Sequence, residues 1–259
     1  MLSIGIGQRR WWDFLLTMTE REIKSKYKFS VLGLFWIVLN PIIQMLVIGF
    51  VFRFFTSIKT EIYMMYLFSG LVVWNFFSSS VTRSTPAIVN ERYLLKKAKF
   101  PRETIVLSIV LSNLVQLALS VVLMILIAIF LGVKISFAYL IFLPLSLLLI
   151  ALFTAGFALV FSSLNVKYRD TSFVINFLVS IWFYATPVIY LLTMLPEWMS
   201  KWLYLNPMTG LIEFFRWIML GLEVENWFFM CGNLFFALLT FVIGNYVFKR
   251  FSLDFDDWV

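Results

Sequence analysis

The chain has 259 residues, of which 62% are hydrophobic and only 14% charged, with 30 phenylalanines and a mean hydropathy of +0.93. No single water-soluble core hides that much apolar surface, so lipid must be its solvent. The net charge of +7 sits at the ends of apolar runs instead of covering a soluble face, which argues against nucleic acid as a partner.

The apolar runs are continuous and not alternating, which argues against a β-barrel. The chain has no histidine, and Cys231 is its single cysteine, so an intrachain disulfide and a zinc or haem ligand set are both ruled out. The first residues, MLSIGIGQRRWWDF, lack a continuous apolar stretch, and no cleaved signal peptide is expected. The first span would then act as its own insertion signal.

In chain order, Trp12, Leu16, Ile23 and Tyr27 recur at helical spacing while Arg21, Lys24 and Lys28 fall on other faces. That pattern predicts an amphipathic interface helix over residues 9–29. Six apolar segments then predict membrane spans at 31–55, 63–80, 105–131, 139–162, 173–192 and 227–248, the second extending toward Val89. The expected fold is therefore an all-α integral membrane protein with six transmembrane helices, forming one domain over 1–259.

An even number of spans puts both termini on one side, and charge selects it. Arg9, Arg10, Arg21, Lys24, Lys26, Lys28, Arg83, Arg92, Lys96, Lys97, Lys99, Arg102, Lys167, Arg169, Lys249 and Arg250 fall on the terminal side. Arg53, Lys59, Lys134, Lys201 and Arg216 fall on the other, so the positive-inside rule assigns both termini to the cytoplasm.

Between spans five and six, residues 187–225 remain apolar but are broken by Pro187, Pro196 and Pro207 into pieces too short to cross. They predict re-entrant outer helices. Asn206-Pro207 reads as a structural hinge, and Pro41 in span one as a tolerated kink. Glu213 and Arg216, three apart on one helical face, read either as a structural ion pair or as a gate contact.

Chemistry within the chain is sparse. None of the eleven glycines precedes a lysine, so no phosphate-binding loop is present and the chain is not expected to be an ATPase or other enzyme. The spans have no Asp or Glu at their centres, which disfavours ion coupling. A membrane enzyme would have only Glu197, Glu213, Glu223 and Glu225 on the outer side as acids or bases. Trp36, Tyr63, Tyr66, Trp74, Trp182, Tyr184 and Tyr190 are candidate conduit rings for a glycan, against a background in which most such rings are belt or packing residues. Gln44, Asn113, Gln116, Asn176 and Asn245 read first as interhelical hydrogen-bonding groups. Asp170, with Lys167 and Arg169 beside it, is expected at the start of span five.

The segments EREIKSKYKFSVLGLFW, NERYLLKKAKFPRETIVLS, NVKYRDTSF and ATPVIY, with Asn206-Pro207 and Glu213 to Arg216, occur in one order along the chain. Together they resemble the type-2 ABC export permeases, in the branch of O-antigen, teichoic-acid and capsule exporters. The resemblance implies a homodimer with two separate ABC ATPase subunits that bind ATP and Mg, this chain carrying no cofactor of its own.

It further implies a cytoplasmic coupling helix at 90–103, where Asn90, Glu91, Arg92, Lys96, Lys97, Lys99 and Arg102 meet the ATPase. Lys167, Arg169 and Asp170 would form a second contact, while Pro187, Asn206, Pro207, Glu213 and Arg216 would belong to a periplasmic gate. The cargo it implies is a glycan on a polyprenyl pyrophosphate lipid, moved across the bacterial inner membrane. The alternative is an ABC permease for a small molecule or lipid.

Overall fold

The computed structural model describes the backbone of residues 2–28, 35–52, 60–97, 100–132, 140–224 and 226–255, and within them the side chains from Trp11 onward except those of residues 27, 35, 37, 38, 60, 61, 193 and 197. Within those residues every regular element is a helix or a 3₁₀ turn, without a strand. The helices are α1 (Leu2–Tyr27), α2 (Phe35–Phe52), α3 (Thr60–Ser84), α4 (Ala87–Asn90), α5 (Arg92–Lys97), α6 (Glu103–Phe130), α7 (Leu143–Lys167), α8 (Thr171–Tyr184), α9 (Glu197–Leu203), α10 (Pro207–Leu220) and α11 (Trp227–Ser252). Short 3₁₀ turns occupy Leu140–Phe142 and Leu192–Met194.

Four of these helices, in α3, α6, α7 and α11, are long and apolar enough to cross a bilayer. The chain is thus a multi-pass membrane protein. α3 is the central column: 78% of its apolar window is buried inside the protein, against 22–39% for the other three. Those three leave long rows of Leu, Ile, Val and Phe exposed, the arrangement lipid requires.

α7 and α11 cross at unusually close range because glycine faces glycine. A Cβ on Gly156 would lie 2.5 Å from the Thr240 carbonyl oxygen, and one on Gly244 would lie 2.4 Å from the Gly156 carbonyl oxygen. Small residues at a crossing let two backbones approach where no hydrophobic drive from water exists.

One sequence expectation needs adjustment, and another gains detail. The fifth apolar segment was expected to be helical to Leu192, but α8 ends at Tyr184. Pro187 has no N–H to continue the ladder, and the Thr186 hydroxyl donates to the Trp182 carbonyl oxygen instead. Asp170 occupies the N-cap position of α8 without making a side-chain cap bond. Its φ of −69° and ψ of −14° are already helical, so its carboxylate is not presented to the first N–H groups. Asn165 does that work, its Oδ1 accepting from the Ser172 N–H at 3.1 Å.

α1 has two apolar surfaces. Trp12 and Leu16 are exposed, while Leu15 and Met18 are buried on the face turned to the rest of the protein, chiefly α6. The Tyr27 side chain lies outside the described residues, as do Lys99, Tyr139, Arg53, Lys59, Lys134, Glu225 and both ends of the first apolar segment.

Candidate functional site

Three polar regions stand out against this apolar frame. The first is a groove of about 470 Å³ between α2, α3 and α8. Gln44 and Ile48 line it from α2, Leu71, Trp74, Asn75, Ser78 and Thr82 from α3, and Asn176, Val179, Ser180, Phe183 and Tyr184 from α8. Asn75 Nδ2 donates to Gln44 Oε1 at 2.9 Å, an interhelical bond of the kind expected for Gln44. The wall is mixed, with amides and hydroxyls beside ring faces. Such a surface can hydrogen-bond hydroxyls and support the C–H faces of sugar rings at once.

Of the seven aromatic conduit candidates, the groove gathers Trp74 and Tyr184. Trp36 is exposed on α2. The others spend their polar tips elsewhere: the Tyr63 hydroxyl donates to the Ile189 carbonyl, that of Tyr66 to the Tyr190 carbonyl, and that of Tyr190 to the Tyr184 carbonyl. Trp182 donates to Asn206 Oδ1 at 3.1 Å and packs among Trp74, Phe77 and Phe157. Sequence reasoning missed Asn75, Ser78, Thr82 and Ser180. Their signal was available, because Asn75, Ser78 and Thr82 repeat at helical spacing, as do Asn176 and Ser180.

The second region lies at the end of the molecule carrying α9 and α10, and is centred on Arg216, which is 0% exposed. Its five N–H donors meet five acceptors. Nε reaches Ser69 Oγ at 3.4 Å; Nη1 reaches the Pro187 carbonyl at 2.8 Å and Glu213 Oε1 at 3.1 Å; Nη2 reaches the Tyr66 and Val188 carbonyls at 3.3 and 3.0 Å. The guanidinium also lies 3.4 Å from the Tyr66 ring centroid, a cation–π stack. A fixed fork of donors matches this carbonyl cage as an ammonium could not.

Asn206 works similarly nearby. Its Oδ1 caps α10 by accepting from the Met208 N–H at 3.1 Å, and its Nδ2 donates to the Ala185 carbonyl and to Thr186 Oγ1. Pro207 fills the first helical position, where no N–H is needed. From α11, Asn233 Nδ2 donates to the Tyr204 and Asn206 carbonyls. The Pro187, Asn206, Pro207, Glu213 and Arg216 positions are therefore assembled in one place, with their hydrogen bonds directed inward.

The third region surrounds α4 and α5. Arg92, Lys96 and Lys97 are exposed, and Tyr93 is 69% exposed with Arg92 stacked 5.3 Å from its ring centre. Asn90 is exposed at the end of α4. Other polar groups here pair with α1. Glu91 pairs with Arg21 of α1, Glu103 accepts from Trp11 Nε1 at 3.3 Å, and Phe100 stacks on Phe14 at 4.5 Å. Arg83 at the end of α3 bonds Glu22 of α1 at 3.2 Å.

Lys26 points between α3 and α6, where its ammonium donates to Asn113 Oδ1 and Asn113 in turn donates to Ser80 Oγ at 2.8 Å. Burial first, and the Arg83 charge second, push the Lys26 ammonium down to about 8 against the opposing pull of Glu22. Lys167, the last residue of α7, is exposed, as are Arg169 and Asp170 between α7 and α8.

A helical membrane domain with a charged segment between its first two long apolar helices, α3 and α6, matches one family along most of its length. The profile of the ABC-2 type transporters covers residues 14–220, and the chain belongs to that family. Among its relatives, an O-antigen export system permease protein, RfbA, of Klebsiella pneumoniae is 27% identical over 243 residues, 94% of this chain and 93% of its own. RfbA of Myxococcus xanthus, with the same description, is 32% identical over 204 residues, 78% of each chain.

Proposed function

We propose that this chain is the permease subunit of an ATP-driven exporter that moves lipid-linked polysaccharide of the O-antigen type across the cytoplasmic membrane. The observation that carries this reading is the match to two O-antigen export permeases, over 94% and 78% of the chain, within a family of ABC transporter membrane domains. The groove of amides, hydroxyls and rings suits a carbohydrate better than a purely apolar cargo.

In this reading α2, α3, α6, α7, α8 and α11 are six spans, and both termini are cytoplasmic by the charge distribution. α8, with 14 residues, rises only ~21 Å, less than a ~30 Å hydrocarbon core. The 185–190 segment and the α9–α10 hairpin complete that column as re-entrant outer elements. α1 lies in the cytoplasmic interface, with Trp12 and Leu16 toward lipid.

The groove is open on one side, and the neighbouring faces of α2 and α8 expose Leu46, Val47, Phe50, Phe173, Phe177 and Ile181. A second copy closes it into a conduit, so the working unit is a homodimer. ATP and Mg reside on two separate ATPase subunits, which meet α5 through Arg92, Tyr93, Lys96 and Lys97, while the exposed Lys167, Arg169 and Asp170 form the second contact. The cargo carrier is a polyprenyl pyrophosphate.

The test is reconstitution of the purified chain with the ATPase encoded beside it in lipid vesicles holding a lipid-linked glycan. ATP-dependent transfer of the glycan across the bilayer is the expected result. Failure to form a complex with the ATPase would overturn the reading, and transfer of lipids without their glycan would favour the small-molecule or lipid permease.

A further inference from the structure

The groups of the 90–103 segment divide into two sets that point in opposite directions. Arg92, Tyr93 and Lys97 face solvent, whereas Arg102 turns away from them. Its Nη1 donates to the Ser252 carbonyl at 2.5 Å, and its guanidinium lies 5.8 Å from the centre of the Phe255 ring. Phe255 is 1% exposed and meets Phe248 of α11 edge-on at 5.5 Å.

Ser252 is the last residue of α11, so its carbonyl is one of those that an α-helix leaves without an internal partner. It also lies at the negative end of the helix dipole. Arg102 therefore caps a helix 150 residues away in sequence, satisfying a carbonyl and covering the ring that folds back over the cap.

We infer that Arg102 is a positioning residue that bolts the docking segment to the carboxyl-terminal end of α11. Displacement of α5 then reaches α11 through Arg102, and α1 through Glu91 and Glu103. α11 carries it onward to α7, because the glycine crossing brings those two backbones into direct contact. This transmission role rests on the reading of α5 as the contact for a separate ATPase. The bolt itself is a property of the permease alone.

Both parts are tested with the full-length chain. In the isolated permease, hydrogen exchange at the amides of residues 249–255 should be faster in Arg102→Ala than in the wild type. Phe255→Leu should reproduce part of that loss, and Arg102→Lys should be intermediate because it keeps the charge and loses the planar stack. Unchanged exchange in both Arg102→Ala and Phe255→Leu would overturn the bolt.

In the reconstituted complex, Arg102→Ala should copurify with its ATPase as the wild type does but move less glycan per ATP hydrolysed, by about fivefold or more. The double substitution Arg92→Glu, Lys97→Glu should instead lose copurification. If Arg102→Ala also loses copurification to the same degree, Arg102 is a direct contact and the positioning role is wrong. An unaltered ratio of glycan to ATP would sink it as well. If the exchange difference is found but the wild-type chain binds no ATPase, the bolt stands and the functional reading fails.

Discussion

The two ends of this molecule are held together by different physics. Around Arg216, cohesion comes from a wholly buried cation whose donors are matched by three backbone carbonyls, a hydroxyl and a carboxylate. Around α5, it comes from half-exposed ion pairs, Arg21 with Glu91 and Arg83 with Glu22. Buried and fully satisfied, the first network is costly to open, because every broken bond leaves a polar group out of reach of water. The second sits in water and salt, where each pair contributes only ~0–1 kcal/mol and can exchange partners cheaply. On the reading proposed above, the latter property suits the segment where the ATPase docks, and the former suits the hairpin that must hold its shape.

The largest break in this contrast should come from Arg216→Met. It takes the neutralising Arg216 charge away from the buried Glu213 carboxylate and strips several carbonyls of their donors, at about 3–5 kcal/mol. A large drop in detergent melting temperature is the expected readout, and Arg216→Lys should recover little of it, having three donors where five are used. A stability close to wild type in both variants would mean that the Arg216 network does not carry the fold.

Gly70→Ala should come next. The added Cβ would stand 2.6 Å from Arg216 Nη2 and 3.0 Å from the Val188 carbonyl oxygen, neither of which is free to yield while the cage is closed. Overpacking of that kind costs about 1–3 kcal/mol. Gly232→Ala, which meets nothing within 4 Å, is the control and should be near neutral. Parallel thermal unfolding of the two variants decides the matter.

At the other end, removing the Arg21–Glu91 pair by Glu91→Gln should lower stability by no more than about 1 kcal/mol, and the difference should shrink in high salt. The same change should still disturb transport, since it frees α5 from α1. A double-mutant cycle with Arg21→Gln measures the coupling. A salt-independent loss as large as that of Arg216→Met would erase the distinction between the ends.

Much of the frame was legible because lipid demands long apolar runs, and those runs stand out in sequence whatever their partners. The breaks at Pro187 and Pro207 were legible for a local reason, the missing N–H. What sequence could not reveal were pairings with no period to link them: Arg21 with Glu91, 70 residues apart, and Arg102 with Ser252, 150 apart. The carbonyl cage was hidden as well, since its acceptors are backbone atoms that any residue could supply. The groove is an intermediate case. Gln44 and Asn176 were recognised as polar groups within spans, but that they share a wall with Asn75 and Ser180 depends on how α2, α3 and α8 pack.

Lys26 provides the finest probe of the end that carries α5, because the pH dependence it adds is confined to alkaline pH. Its folded-state pKa of about 8 lies below the ordinary 10.5, with burial the main cause and the nearby Arg83 charge adding to it. Between those two values the unfolded chain keeps the proton that the folded chain has released. The unfolded state therefore binds more protons, and stability attributable to Lys26 must rise with pH across the window from 8 to 10.5. Below 8 both states are protonated and the slope vanishes. Other groups titrate over the same range, so the measurement is a difference: unfolding free energy of the wild type minus that of Lys26→Met, followed from neutral pH upward. That difference should climb through the window in the wild type's favour. A flat difference would mean that the ammonium is as well solvated between α3 and α6 as it is in the unfolded chain, and that the contact with Asn113 costs nothing to keep charged.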